Sequence, residues 1–255
     1  MLELVSLKEL KRLAGKAGVP QAVIEKDCAL SIALKLIADS GLAEHIVFKG
    51  GTAIKKAYFN DARFSEDLDF TVLKIERGDC LRLLKQTLEN KSEAGFSFSE
   101  VEEEKTTEGL KAALKFVGPL AYAQRIRFDF NFRENLVEKP VRRKLIDAYE
   151  VSEAELFVLS LEEVFAEKIH ALGNRSAARD LYDSWFLFQK GVTIDERVLA
   201  KKFAYYDEKF DVQKAVENAR KSKENWSRDL KHLLKQLPDF DALERETEEK
   251  LLKLA

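Results

Sequence analysis

Residues 48–72 read FKGGTAIKKAYFNDARFSEDLDFTV, and this stretch decides the fold. An apolar run, residues 46–48, predicts a short strand that leads into the Gly50-Gly51 pair and then a helical stretch ending at Tyr58. Residues 65–72 alternate polar and apolar side chains, as a strand with one face on a core does. The stretch therefore predicts a strand, a tight turn, a helix and a second strand.

The turn and the second strand carry side chains suited to binding a nucleotide. Glycines at a turn allow a phosphate to approach the backbone closely, and the Thr52 hydroxyl adds a donor. Asp67 and Asp69, at positions i and i+2 of a strand, point the same way, so their oxygens can converge on hard cations such as Mg²⁺. Each piece alone is common as plain structure. Their order within twenty residues favours nucleotidyl transfer.

The rest of the chain falls into a sheet-rich part and a helical part. Before the stretch, the pattern predicts two helices, and Ser6 caps the first of them. After it come a helix near residues 79–89 and strands at 96–102, 112–117 and 124–132. From about residue 155 the periodicity is helical to the end, which sets domains at 1–155 and 156–255.

Composition excludes several classes of protein. The 255 residues are 45% hydrophobic with 11 glycines and 4 prolines, which excludes collagen-like and disordered chains. The net charge of −2 excludes a blanket positive field, so any nucleic acid must be bound by local basic patches. No apolar stretch is long enough to cross a membrane and no secretory signal is recognised, so we expect a cytoplasmic protein. Two cysteines without a CxxC pair indicate neither disulfides nor a thiolate metal site.

These motifs resemble a known family. Residues 48–53 and 63–70 are similar to the signature of the AbiEii/AbiGii toxin family, which are nucleotidyltransferases of the DNA polymerase β superfamily and include the MenT toxins. Glu25-Lys26-Asp27, Glu167-Lys168 and residues 179–183 match the family pattern in the same order. Fifteen residues lie between Gly51 and Asp67, slightly more than is usual in the superfamily, so the sequence does not fix the distance from turn to acids.

The resemblance implies a fold and a reaction. The expected fold is α+β: a polymerase-β-like nucleotidyltransferase mixed sheet with flanking helices, followed by an all-helical C-terminal domain that completes the active site. The expected reaction is metal-dependent transfer of a nucleoside monophosphate from an NTP to RNA, with tRNA as the favoured acceptor and Mg²⁺ (or Mn²⁺) as cofactor. The family is tied to toxin–antitoxin and phage-defence systems, so a cognate antitoxin protein is an expected partner.

The resemblance also implies residue roles. The expected catalytic residues are Asp67, Asp69, Lys168 and Asp180; the expected substrate-binding residues are Lys49, Gly50, Gly51, Thr52, Ser65, Arg179 and Asp183. Lys168 would neutralise charge on the triphosphate, and Asp180 and Asp183, at i and i+3 of one helix, would meet the nucleotide or Lys168. Asp67, Asp69 and Asp129 are the expected metal ligands, and a plain ion-paired strand surface is the alternative for Asp129.

Three hypotheses about function stay open from the sequence. The first is transfer to RNA, for which basic clusters could bind phosphates and aromatic residues could stack on unpaired bases: Arg125, Arg127, Arg142-Arg143-Lys144, Lys201-Lys202, Tyr205, Tyr206 and Trp226. The same chemistry with a small-molecule or protein hydroxyl as acceptor is the second hypothesis. The third is a non-catalytic module that binds nucleotide without turnover.

Overall fold

A single mixed sheet forms the centre of the N-terminal part of the chain. The computed structural model describes residues 5–133, 135–150 and 153–254. The strands are β1 (Ile46–Lys49), β2 (Asp67–Val72), β3 (Ser92–Glu93), β4 (Phe96–Glu104), β5 (Leu110–Val117), β6 (Ala123–Asn131), β7 (Val141–Lys144) and β8 (Glu155–Val158). Their order is β3-β4-β5-β6-β2-β1-β8-β7. The β2–β6 and β1–β8 pairs are parallel and the other pairs antiparallel, which confirms the expected mixed sheet.

In the described part of this region, the helices that accompany the sheet are α1 (Leu7–Ala17), α2 (Gln21–Ala38), α3 (Gly50–Ala53) and α4 (Arg77–Leu88). Ser6 caps α1 as predicted, because its hydroxyl accepts a hydrogen bond from the Glu9 amide at 3.1 Å. The helical stretch predicted after the glycine turn is present, but it is split into the short α3 and a π-helical segment, Ile54–Tyr58. Such π-helical segments are rare in proteins.

Phenylalanines fill the covered face of the sheet. Phe48, Phe70 and Phe130 are completely buried on the three adjacent strands β1, β2 and β6. The Phe70 ring stacks on Phe130 at a centroid distance of 5.3 Å and lies 5.4 Å from Phe48. Since alternate residues of a strand point to opposite faces, this packing directs Asp67, Asp69 and Asp129 to the other face.

The C-terminal part is helical, as expected. Its helices are α5 (Leu161–Asn174), α6 (Ala178–Gln189), α7 (Glu196–Ala204), α8 (Val212–Lys221), α9 (Trp226–Leu230) and α10 (Phe240–Leu251). Ser176 lies just before α6, but its hydroxyl bonds to the Asn218 side chain, and Ala177 occupies the cap position. Tertiary packing against α8 takes the hydroxyl away from the helix end.

The chain divides into two compact units. One contains Met1–Glu134 and Pro140–Val158, and the other contains Asn135–Lys139 and Leu159–Ala255. The division therefore falls after β8, whereas the sequence analysis places it near residue 155. Among the described helices, none combines the length and the apolar character needed to cross a bilayer.

Candidate active site

The glycine turn is built directly against an aspartate of the neighbouring strand. Gly50 follows the last residue of β1 and has a φ of +78°, a conformation that L side chains rarely adopt. A Cβ atom placed on Gly50 would lie 2.2 Å from Oδ2 of Asp69. The Asp69 carboxylate therefore lies against the backbone of the turn, in space that only glycine leaves open.

A hydrogen bond ties the same turn to the other aspartate. The Thr52 hydroxyl donates to the Asp67 backbone carbonyl. Thr52 is completely buried, so in this structure its side chain joins α3 to β2. Ser65, which precedes the acidic pair, is also buried, with 8% of its surface exposed.

Charged side chains form a row across four adjacent strands. Lys49 of β1 lies directly opposite Asp69 of β2, Asp69 opposite Asp129 of β6, and Asp129 opposite Lys111 of β5. Neighbouring strands are about 4.8 Å apart, so the backbones of the two aspartates are adjacent. In the next row Asp67 lies opposite Arg127. The register thus brings Asp129 next to the predicted Asp67–Asp69 pair, on the same face.

These residues offer the donor type that hard divalent cations prefer. Asp67, Asp69 and Asp129 are carboxylates on one face of the sheet, and Mg²⁺ and Mn²⁺ prefer carboxylate oxygens. Asp129 also contacts Lys111, with 3.5 Å between Oδ2 and Nζ. Within the described residues, no three His, Cys, Asp or Glu side chains are gathered closely enough to form a metal site. The three carboxylates are the type of ligand that a divalent cation binds, and one of them, Asp129, also forms an ion pair with Lys111.

The second unit contains the predicted lysine and its acidic partners. Lys168 of α5 contacts Asp180 of α6 at 3.1 Å and Asp183 at 2.9 Å. Only 12% of the Lys168 side chain is exposed, so it is not a solvated surface lysine. The predicted pairing of the two acids with Lys168 is present in the structure, and half-buried Arg179 lies on the same helix.

Asp180 is held in its charged form by two cations. Arg175 donates through Nε to Asp180 Oδ2 at 2.7 Å, on the opposite oxygen from Lys168. Burial alone would raise the pKa of the Asp180 carboxyl, but the Lys168 and Arg175 charges outweigh burial and hold that pKa below its usual value. Asp180 is therefore charged at neutral pH, and the contacts of Asp180 and Asp183 with Lys168 fix the direction of the ammonium.

The predicted basic clusters differ in their exposure. Arg125 and Arg127 are exposed beside the acidic row, and each lies within 3.7 Å of a glutamate of β4. Arg142 and Lys144 of β7 are exposed and paired with Glu155 and Glu153.

Two predicted RNA contacts are inaccessible. The Lys202 side chain is 1% exposed, and its Nζ binds Glu163 at 2.7 Å, Glu167 at 3.1 Å and the Asn135 carbonyl at 2.7 Å. Trp226 is buried, whereas 47% of the Tyr205 surface is exposed. The helical period places Lys202 on the apolar stripe of α7 with Val198 and Leu199, and that is the signal for its burial.

The first unit contains a buried charged pair that has no role among the residues predicted from the sequence. Asp27 of α2 and Lys56 of the π-helical segment are both buried and lie 2.7 Å apart. The signal for Asp27 is its place between the buried Ile24 and Cys28 in a helix that is covered on nearly every side. Lys56 carries no such signal, because its partner is 29 residues away in the sequence.

Comparisons with known proteins place the chain among nucleotidyltransferase toxins. A family model described as "Nucleotidyl transferase AbiEii toxin, Type IV TA system" matches residues 32–246. Among solved structures, the chain is similar to MenT4, nucleotidyltransferase toxin Rv2826c from Mycobacterium tuberculosis H37Rv, with a TM-score of 0.76 and 21% identity over 96% of this chain and 88% of that chain.

A second solved structure is an antigenic nucleotidyltransferase-like protein from Paracoccidioides brasiliensis, with a TM-score of 0.42 and 16% identity over 84% of this chain and 95% of that chain. No curated protein matches the sequence.

Proposed function

Because the chain belongs to the AbiEii family of nucleotidyltransferase toxins of type IV toxin–antitoxin systems, we propose that it transfers a nucleoside monophosphate from an NTP to RNA. The favoured acceptor is tRNA, and the family implies a cognate antitoxin protein as a partner. The observation that carries the proposal is the row of carboxylates on β2 and β6 with the glycine turn packed against Asp69. An enzyme using NTP and tRNA works in the cytoplasm, where both are found.

The first unit supplies the nucleotide-binding residues. Gly50 and Gly51 let a phosphate approach the backbone, and Lys49 lies in register with Asp69 to offset phosphate charge. The hydroxyls of Thr52 and Ser65 are the further proposed phosphate contacts, one after the glycine turn and one before the acidic pair. Asp67, Asp69 and Asp129 would hold Mg²⁺ (or Mn²⁺). Such an ion lowers the pKa of an attacking hydroxyl and neutralises the departing pyrophosphate.

The second unit supplies the remaining charges. Lys168 would neutralise negative charge that develops on the phosphates in the transition state. Asp180 and Asp183 position its ammonium, as their contacts of 3.1 and 2.9 Å support, and Arg179 would contact the nucleotide. In the reaction, the acceptor hydroxyl loses its proton to solvent and its oxygen bonds to the α-phosphorus. The bond from that phosphorus to the oxygen that it shares with the β-phosphate breaks, and pyrophosphate leaves with that oxygen.

Arginines beside the acidic row support a nucleic acid as the acceptor. Arg127 lies opposite Asp67, and Arg125 is two residues away on the same strand and face. Both side chains are more than half exposed. Guanidinium groups bind phosphodiesters well because their planar donors match the phosphate oxygens. An RNA strand entering the site would therefore meet positive charge next to the carboxylates.

The test is to incubate the purified protein with total RNA and each labelled NTP in turn. We expect label in a defined RNA species with at least one NTP, loss of the label when EDTA removes divalent metal, and recovery when Mg²⁺ or Mn²⁺ is returned. Label on protein or on a small molecule, with RNA unlabelled, would replace RNA by the second acceptor class. Tight NTP binding by calorimetry without any product would instead support the non-catalytic hypothesis.

Replacing Lys168 by methionine tests the second unit. We expect kcat for transfer to fall about 10²-fold, because the positive charge proposed to neutralise the phosphates is lost while the side-chain volume is kept. Asp180 retains Arg175 at 2.7 Å, but Asp183 loses its 2.9 Å contact with Lys168, so the variant should fold with a lower melting temperature. The measurement is steady-state transfer with the melting temperature of the same preparation.

The matched control for this variant is Lys235→Met, because Lys235 is an exposed lysine of the same unit and is not among the predicted RNA contacts. It should transfer at the wild-type rate. Equal rates for the Lys168 and Lys235 variants would remove Lys168 from the proposed machinery.

A further inference from the structure

A buried ionic cluster lies beneath the segment that follows the glycine turn. Lys56 Nζ donates to Asp27 Oδ2 at 2.7 Å, to the Ser31 hydroxyl at 2.8 Å and to the Asp27 carbonyl at 3.2 Å. The Tyr149 hydroxyl donates to the same Asp27 oxygen, and the Lys56 ammonium lies 5.0 Å from the centre of the Tyr149 ring. The Lys56 and Asp27 side chains are 3% and 1% exposed. This cluster joins α2, the π-helical segment and the loop between β7 and β8.

The same π-helical segment is held at further points from the β7 side. The Lys56 carbonyl accepts a hydrogen bond from the Ile146 amide at 2.7 Å, and the Ala57 carbonyl accepts one from Arg143 Nε at 3.0 Å. The Arg143 guanidinium also lies 4.5 Å from the centre of the Tyr58 ring. The segment is therefore fixed through its own backbone as well as through the Lys56 side chain.

Stability alone is a poor explanation for this cluster. Burying two charges has a high desolvation cost, and apolar residues of similar volume often stabilise a protein as well or better. Asp27 Oδ1 is buried and has no hydrogen-bond partner within the described residues, which is a further cost. What a charged pair adds over an apolar pair is direction, because the ammonium and carboxylate must meet at a defined geometry.

The glycine turn must be held at a defined position relative to Asp69. Gly50 lies six residues before Lys56, and a Cβ on Gly50 would be only 2.2 Å from Asp69 Oδ2, so the turn and the carboxylate have little room to move relative to each other. A displacement of about 1 Å at a reacting centre can lower a rate by about 10²-fold. Any shift of the π-helical segment would be transmitted through the short α3 to Gly50.

We propose that Asp27 and Lys56 are positioning residues that fix the glycine turn against Asp69, with Tyr149 holding the Asp27 carboxylate in place. The inference rests on the proposed function, since it assigns the turn to the NTP phosphates. The cluster acts through Gly50 and Gly51 and does not touch the substrate. Its removal therefore weakens NTP binding and leaves the interaction with the acceptor unchanged.

The experiment replaces the ion pair by an apolar pair of similar volume, Asp27→Leu with Lys56→Met. We expect the double variant to fold and to melt slightly below the wild-type temperature, because no charge is left buried without a partner and, among the described residues, the only group that loses its acceptor is the Tyr149 hydroxyl. We expect its dissociation constant for NTP, measured by calorimetry, to rise about tenfold or more, with KM for the acceptor unchanged. The control is Ser31→Ala, which removes one hydrogen bond to Lys56 and keeps the pair, and which should bind NTP as the wild type does.

A double variant that melts normally and binds NTP with wild-type affinity overturns the proposal. Should the double variant fail to fold, Tyr149→Phe and Asp27→Asn decide instead: wild-type NTP affinity in both overturns the proposal, and weakened affinity in either supports it. Calorimetry needs no turnover. If the wild-type protein binds NTP but labels no acceptor, the proposed function is refuted. The NTP affinities of the variants still decide the positioning role in that case.

Discussion

Replacing Asp69 by asparagine is expected to lower nucleotide transfer by about 10³-fold or more. The substitution keeps the shape that packs against Gly50 and removes the charge that would hold a divalent cation. Asp67→Asn is expected to have an effect of the same size, because both carboxylates lie on one face of β2. The hydrogen bond from Thr52 to the backbone carbonyl of residue 67 does not depend on the Asp67 side chain and remains. The measurement is the initial rate of label transfer at saturating NTP.

The matched control is a carboxylate on the same face of the sheet but away from the turn. Glu102 of β4 pairs with Lys115 and Arg125, and Glu102→Gln should transfer at close to the wild-type rate. Melting temperatures of all three variants should stay near the wild-type value, since each substitution is isosteric. Full transfer by both aspartate variants would refute the metal assignment and the proposed chemistry together.

The part of the site formed by β1, the glycine turn and β2 is predictable because it depends on residues that are contiguous in the sequence. The apolar run 46–48 and the alternation 65–72 predict β1 and β2, and the structure has Ile46–Lys49 and Asp67–Val72. Alternation also fixes which face Asp67 and Asp69 share, because the period of a strand is two residues. The sequence did not determine how far the glycine turn lies from Asp67 and Asp69. In the structure the hydrogen bond from the Thr52 hydroxyl to the Asp67 carbonyl brings the turn next to β2.

The non-local part could not be predicted in the same way. Alternation assigns Asp129 to a face of β6, but its place beside Asp69 follows from the parallel pairing of β2 with β6. These strands are about sixty residues apart in sequence, and no local pattern specifies which strands become neighbours. The contact of Asp129 with Lys111 depends on the pairing of β6 with β5 in the same way.

Buried charges were the other difficulty. Hydropathy assigns lysines to solvent, so residue type gives no sign of burial for Lys56 or Lys202, and only the helical period of α7 indicates it for Lys202. Each becomes buried only because acidic partners far along the chain surround its ammonium: Asp27 for Lys56, and Glu163 with Glu167 for Lys202. Such pairs form from tertiary packing, which is why one lysine proposed for RNA binding lies in the core.

Replacing Gly50 by alanine is expected to lower transfer by about 10²- to 10³-fold, for two physical reasons that can be separated. The first is backbone strain, because a φ of +78° costs a non-glycine residue about 1–2 kcal/mol. The second is the clash, because the new Cβ would lie 2.2 Å from Asp69 Oδ2 and must displace either the turn or the carboxylate. Transfer rate and melting temperature, measured on the same preparations, report the two effects.

Gly191 provides the control that isolates strain from clash. Its φ is +73°, close to that of Gly50, but a Cβ placed there would meet no atom within 4 Å. Gly191→Ala should therefore lose about the same 1–2 kcal/mol of stability and keep its transfer rate. If Gly50→Ala lost stability alone, like Gly191→Ala, the contact between the turn and Asp69 would be irrelevant to the reaction. A loss of transfer confined to Gly50→Ala would instead identify the position of the Asp69 carboxylate against the turn as the property that the glycine preserves.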